Sequence, residues 1–146
     1  MTPIAEYPLW IGHGGEAHDY QAILEAGIEA VVDLAAEEPS RSGPRDLIVC
    51  RFPLIDGQGN RPEVLTLAVR SIGSLIASGT PTLVCCGAGL SRAPALVASA
   101  LSLVHGESPE SFLKLVTRHH HSDVSPGLWD DLVQLASNGF PIGARA

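Results

Sequence analysis

The chain has 146 residues, 45% apolar and 17% charged, and a formal charge of −7. The apolar share is large enough to bury a core and excludes a disordered tail, and three cysteines are too few for a disulfide scaffold. The acidic balance repels a phosphate backbone, so nucleic acid is not an expected partner. A membrane is not expected either, because no apolar run reaches the ~18 residues of a span. Met1 to Trp10 holds Pro3, Glu6 and Pro8 and lacks the basic start and apolar stretch of a signal peptide. One domain over residues 1–146, in the cytoplasm, is the resulting expectation.

Taken in order, Pro8 to Gly12 is a short apolar run that stops at Gly14-Gly15 and reads as a strand. Asp19 to Ala26 predicts a short helix with Gly27 just past its end. Ile28 to Leu34 is β-branched and apolar, as in a buried strand. Glu37 to Asp46 carries Pro39, Ser40, Ser42, Gly43 and Pro44, the composition of a surface loop. Leu47 to Leu54 is a further strand. Asn60 ahead of Pro62 and Glu63 reads as the cap of a helix. The apolar face of that helix is Val64, Leu65, Ala68, Ile72, Leu75 and Ile76, and Gly79 closes it. Thr82 to Cys86 is a strand running into Gly87-Ala88-Gly89. Ala93 to Val104 is apolar nearly all round, which predicts a central buried helix. Ser108 and Pro109 open a helix with Phe112, Leu115 and Val116 inward. Pro126 to Ala136 is the last helix, anchored by Leu128, Trp129, Leu132 and Leu135; residues 143–146 are expected to fray. The alternation predicts an α/β domain with a central, mostly parallel sheet of about four or five strands, flanked by helices on both sides.

The segment richest in chemistry is Leu83 to Pro94, L-V-C-C-G-A-G-L-S-R-A-P. A strand ends at Cys86, a glycine turn follows, and a helix begins near Ser91 or Arg92. Backbone N–H groups at such a turn converge, and the helix dipole adds positive potential, so the turn is an anion site. Arg92 adds a planar guanidinium suited to two oxygens of a phosphate. The same field would stabilise a thiolate at Cys86, and a thiolate beside a bound phosphate is a nucleophile aimed at phosphorus. Three readings of the segment are open. Cys86 is a plain buried strand cysteine and Arg92 an ordinary helix-start residue; or Gly87-x-Gly89 opens a dinucleotide-binding turn; or the segment is the core of a cysteine-dependent phosphatase. In the second, Arg92 occupies the third glycine position and blocks close helix–strand packing, and Glu107 follows a helix instead of ending a strand. The third needs an acid for the leaving oxygen. Asp56, in the Gly-rich loop Ile55 to Asn60 after a strand, is the candidate. On its own it reads as a turn aspartate. Strand, Asp loop, helix, strand, Cys turn and helix in that order is far more specific than either half.

At this point the chain resembles the dual-specificity protein phosphatases of the cysteine-based tyrosine phosphatase superfamily, over roughly Leu9 to Leu135. Cys86, Gly89 and Arg92 match the signature H-C-x-x-G-x-x-R-S/T, and Ala88 and Ser91 are common choices between them. The run Ser91 to Val97, Leu9-Trp10-Ile11-Gly12, and Gly27-Ile28 with Val31-Val32-Asp33-Leu34 resemble the family's flanking segments. The resemblance implies that Cys86 is the nucleophile, Arg92 the phosphate clamp and Asp56 the general acid and later base. It also implies that Gly87, Ala88, Gly89, Leu90 and Ser91 supply the backbone amides, with no metal and no cofactor. Two positions depart from the pattern: Cys85 stands where the family usually has His, and Ala93 where it usually has Ser or Thr. In the family the His helps hold the loop and the hydroxyl helps the thiolate leave, so a slower second step is expected. A phosphate-binding pseudophosphatase is the alternative.

The remaining reactive residues read more plainly. Cys50 is the expected disulfide partner if Cys86 or Cys85 is reversibly oxidised, because neighbours on a strand point to opposite faces. Consecutive histidines rarely converge on one ion, so Arg118-His119-His120-His121 reads as a solvated helix end and loop. His13, His18 and His105 stand alone as structural or surface residues, and Trp10 and Trp129 read as core. Asp33 either braces the Cys loop or closes a strand-end turn. Uncharged Gly87, Ala88 and Leu90 point away from a polyanionic lipid and toward a phosphorylated protein or a small phosphoester. The oligomeric state is not legible.

Overall fold

The structure is a computed structural model and describes residues 1–40 and 42–143. Five strands form one sheet: β1 (Thr2–Ile4), β2 (Leu9–His13), β3 (Ala30–Ala35), β4 (Ile48–Leu54) and β5 (Thr82–Cys86), in the spatial order β1-β2-β5-β3-β4. β1 pairs antiparallel with β2, and every other pairing is parallel. The edge strand β1 is absent from the sequence reading because three residues containing Pro3 carry no strand signal of their own. β3 and β5 are buried along their whole length. Both faces of the sheet are therefore covered there, which is why both segments read as unbroken apolar runs.

One face carries α2 (Pro62–Ala77), α3 (Arg92–His105), α4 (Pro109–His119) and α5 (Pro126–Ser137). Among the described residues, the other carries a single-turn 3₁₀ helix (Glu16–His18) and α1 (Tyr20–Glu25), with Ala17, Ile23 and Ile28 packed on Val31, Leu83 and Cys85. α3 is buried from Arg92 to Leu101, as its all-round apolar sequence predicts. On α4, Phe112 and Val116 are buried and Leu115 is half-buried; Trp10 and Trp129 are also half-buried, each at the margin of a core cluster. Gly79 takes φ +71 past the end of α2, and Asp19 caps α1 by accepting from Ala22 N. The cap of α2 is Arg61, not Asn60. The Asn60 amide is committed elsewhere: Oδ1 accepts from Ile55 N at 2.9 Å, and Nδ2 donates to the carbonyls of Ile55 at 2.9 Å and Gly57 at 3.3 Å. Of the tail expected to fray, residues 144–146 lie outside the described residues. Among the described residues, no helix is long and apolar enough to cross a membrane.

Because β2, β5, β3 and β4 are parallel, the loops after all four leave from one edge of the sheet. Ligands of open α/β sheets bind outside that carboxyl edge. Here the edge gathers His13 to Gly15, Ala36 to Glu38, Ile55 to Asn60 and Gly87 to Ser91.

Candidate active site

Cys86 is the last residue of β5, and α3 begins six positions later at Arg92. The loop between them is shaped by what holds its carbonyls. Gly87 O accepts from Gly14 N at 3.0 Å, Leu90 O accepts from Asp123 N at 2.7 Å, and Gly89 O accepts from His120 Nε2 at 2.6 Å. In a trans peptide the carbonyl and the following N–H point opposite ways. Holding these three carbonyls turns the N–H groups of Ala88, Leu90 and Ser91 away from their anchors. Among the described residues, the N–H groups of Ala88, Gly89, Leu90 and Ser91 have no hydrogen-bond partner. Gly89 has φ +74, and a Cβ there would lie 2.9 Å from Gly12 O. Only glycine fits that corner. Ala93 N donates to Cys86 Sγ at 3.4 Å, so the sulfur faces the first turn of α3.

Arg92 is almost fully buried. Its Nη1 and Nη2 each donate to one oxygen of Glu37 at 2.5 Å, and Nη1 also donates to Leu54 O at 2.8 Å. Its Nε is buried and has no partner. The hydrogen bonds from Arg92 hold the Glu37 carboxyl down at about 2, against an ordinary value of 4.5, and the same pair raises Arg92. Gly87 makes room for the pair, since a Cβ there would lie 2.7 Å from Glu37 Oε2 and 3.1 Å from Arg92 Nη2. Sequence reading places Glu37 in a surface loop and misses this role. Its one signal is position, two residues past the end of β3 at the edge where the site forms.

Asp56 stands against the same loop. Its Oδ1 accepts from Ser91 Oγ at 2.6 Å, and Ser91 Oγ in turn accepts from Ser125 N at 2.8 Å. The Asp56 loop is tied down on three sides: by the Asn60 amide, by Asp131 Oδ2 accepting from Gly59 N at 3.2 Å, and by Gln58 lying against Gly127. Glu37, Asp56, Cys86, Ala88, Leu90, Ser91, Arg92 and Asp123 line one pocket of about 360 Å³. The three residues expected to carry chemistry thus converge, and Glu37, read as part of a surface loop, and Asp123, from a segment given no role, join them.

The other candidates separate from the site. Cys85 is fully buried on the opposite sheet face from Cys86. Burial pushes its thiol well up, and the Asp33 carboxylate adds to the shift. Burial also raises Cys50. Cys50 is level with Val32, and Val32 with Val84, so β3 lies between the strands of Cys50 and Cys86. Two strand spacings of ~4.8 Å put Cys50 roughly 10 Å from β5. A disulfide needs Cα atoms closer than ~7 Å. The expected Cys50 crosslink to Cys86 or Cys85 is therefore ruled out in this fold. Asp33 lies within β3, where its Oδ1 accepts from Ala35 N at 3.1 Å at the register shift against β4. His13 Nδ1 accepts from Gly15 N at 3.1 Å, and His105 packs between Tyr7 and Phe112. His120 corrects the reading of its tract as solvated, because its half-buried ring bonds Gly89 O and Thr2.

Sheet order, helix placement and the loop joining Cys86 to Arg92 define a fold of the dual-specificity phosphatase type. More narrowly, the chain belongs to the polymorphic toxin system, DSP-PTPase phosphatase family, whose model matches residues 11–107. Solved structures agree on the fold. Human DUSP28 is similar with TM-score 0.82 and 20% identity, covering 94% of this chain and 96% of that one. A mouse putative dual specificity phosphatase complexed with zinc tungstate gives 0.79 and 22%, over 97% and 92%. The human tyrosine phosphatase-like serine/threonine/tyrosine-interacting protein gives 0.80 and 16%, over 97% and 98%. No curated protein matches the sequence.

Proposed function

We propose that the chain hydrolyses phosphate monoesters through a phosphocysteine intermediate. The observation that carries this reading is the row of unpartnered N–H groups from Ala88 to Ser91, beside a buried Arg92 Nε that also lacks a partner. A buried donor left unpaired costs free energy, which applies to Arg92 Nε, and a bound phosphoryl group would give partners to it and to the loop N–H groups. Such preorganised donors stabilise charge developing on equatorial oxygens. Cys86 Sγ attacks phosphorus in line, and the ester oxygen leaves with a proton from Asp56. Oδ1 of Asp56 accepts from Ser91, so that proton sits on Oδ2. Asp56 then takes a proton from water, the water oxygen attacks the phosphocysteine, and phosphate and the thiolate are released. Ala93 N–H receives the departing sulfur. No step calls for a metal ion or cofactor.

The substrate we propose is a phosphorylated protein, at tyrosine and also serine or threonine, or a small phosphoester. The pocket wall supports this over a polyanion: it holds Glu37, Asp56 and Asp123 against one cation, Arg92, already paired with Glu37. The family description names polymorphic toxin systems, and we propose a toxic role in that setting. Expression that slows growth of a bacterial host, with Cys86→Ser harmless, would support it; equal slowing by both would remove it.

The second reading is a phosphate-binding module without turnover, favoured by the missing hydroxyl at Ala93. Hydrolysis of p-nitrophenyl phosphate between about pH 5 and 8, with EDTA present, separates the two. Loss of activity in Cys86→Ser and a fall in Asp56→Ala are expected. A wild type that stays inactive after reduction would overturn hydrolysis.

A further inference from the structure

The chain leaves α4 at His120, where the backbone becomes extended with φ −141 and ψ 119. The half-buried His120 ring sits between the first strand and the Cys86 loop. Nε2 lies 2.6 Å from Gly89 O, and Nδ1 lies 2.9 Å from Thr2 Oγ1. A carbonyl only accepts, so Nε2 carries a proton; in the neutral ring Nδ1 then accepts from the Thr2 hydroxyl. Every ring nitrogen is used, and the ring cannot turn without losing both bonds.

We propose that His120 is a positioning residue for the phosphate loop, holding the Gly89–Leu90 peptide so that the Leu90 N–H faces the bound anion. This rests on the reading of that loop as an oxyanion cradle. The held carbonyl follows Gly89, the loop's left-handed residue, at φ +74. Without a Cβ, glycine meets the least resistance to rotation of its adjoining peptide. A flip there would replace a donor with a carbonyl lone pair facing a dianion. The other two carbonyl anchors are main-chain N–H groups, of Gly14 and Asp123, so among these three anchors His120 is the side chain. Cys85, directly before the nucleophile, faces the opposite side of the sheet and offers the loop no comparable donor.

The test is binding of inorganic vanadate to the full chain, read by protection of Cys86 from alkylation, together with KM and kcat for p-nitrophenyl phosphate and thermal unfolding. His120→Ala should weaken vanadate binding about fivefold to tenfold, the order of one hydrogen bond. KM should rise in step. His120→Gln, whose amide N–H reaches for the same carbonyl, should recover most of the affinity. Thr2→Val keeps the ring but removes the partner of Nδ1, and should weaken binding about threefold. It carries the test if His120→Ala does not fold. Affinity within twofold of wild type in His120→Ala, or in Thr2→Val where that variant stands in, would overturn the proposal. So would equal losses in His120→Ala and His120→Gln that merely track a lower Tm. A wild type that binds no vanadate overturns the cradle and this proposal together. A wild type that binds vanadate without hydrolysing the ester sinks only hydrolysis.

Discussion

Arg92 and Glu37 face each other in the wall of the Cys86 pocket, joined by two contacts of 2.5 Å. The pair aims the guanidinium, but Glu37 also holds a negative charge beside the place a phosphoryl group would occupy. A unit charge a few ångströms away is worth about 1 kcal/mol even in water, a factor near five. Glu37→Gln keeps the shape and removes the charge. The inhibition constant for inorganic phosphate should fall about fivefold. A rise would mean that aiming Arg92 matters more than the repulsion.

The same carboxyl leaves a mark on stability. Its folded value of about 2 lies below the ordinary 4.5, so its contribution is complete above about pH 4.5 and lost as pH falls toward 2. The Tm gap between wild type and Glu37→Gln should be level from neutral pH to about 5 and shrink below that. Glu37 is more than half exposed, so the gap itself should be modest. A gap that is constant down to pH 2 would remove the ion pair as its source.

Turnover should be limited by the release of sulfur. Cys86 Sγ has one donor in the first turn of α3, Ala93 N–H at 3.4 Å, and Ala93 carries no hydroxyl. Wild type should show a burst of p-nitrophenol followed by a slow steady state. Ala93→Ser should raise the steady rate several-fold, toward about tenfold. A variant with unchanged turnover and no burst in wild type would count against this account.

The three thiols differ sharply in surroundings. Cys85 is buried with its thiol pushed up, and Cys50 is raised by burial as well. Cys86 is buried too, but it lines the pocket with Arg92 beside it, whereas Cys50 is half-buried elsewhere. Iodoacetate at neutral pH should carboxymethylate Cys86, and phosphate should protect it. Peptide mapping that finds label first on Cys50 or Cys85 would contradict the assignment of the nucleophile.

Gly89→Ala should abolish vanadate binding. It sets a side chain at φ +74 and drives its Cβ to 2.9 Å from the backbone of Gly12. Gly79→Ala is the matched control, since φ there is +71 and nothing lies within 4 Å. That control loses about 1 kcal/mol from backbone strain alone and should keep its activity. Equal loss of binding in both would show that the Gly12 contact is irrelevant.

What was legible in the sequence was local. Thr82 to Arg92 reads as strand, glycine turn and helix because β-branched residues, glycines and a helix start follow one another directly, and the structure keeps that order. Glu37, His120 and Asp123 were not legible, because each reaches the loop from a distant part of the chain. No spacing rule links Glu37 to Arg92 or His120 to Gly89; only the parallel sheet and the docking of α4 bring them together. Asn60 shows a different limit. Its composition signal for a helix cap was sound, but the same amide could staple the loop before it, and tertiary contacts chose the second use. Strand β1 exists because β2 offers an edge, a reason absent from its own three residues.

The carbonyls of the loop after Cys86 are anchored by residue 14, made well before the loop, and by residues 120 and 123, made well after it. A chain emerging from the ribosome therefore carries Asp56, Cys86 and Arg92 for some time before the last anchors exist. Until the segment after α4 has been synthesised and docked, the peptides at Gly89 and Leu90 have nothing to turn them. On the proposed reading, the anion-binding shape of the loop therefore waits for the segment that carries His120 and Asp123.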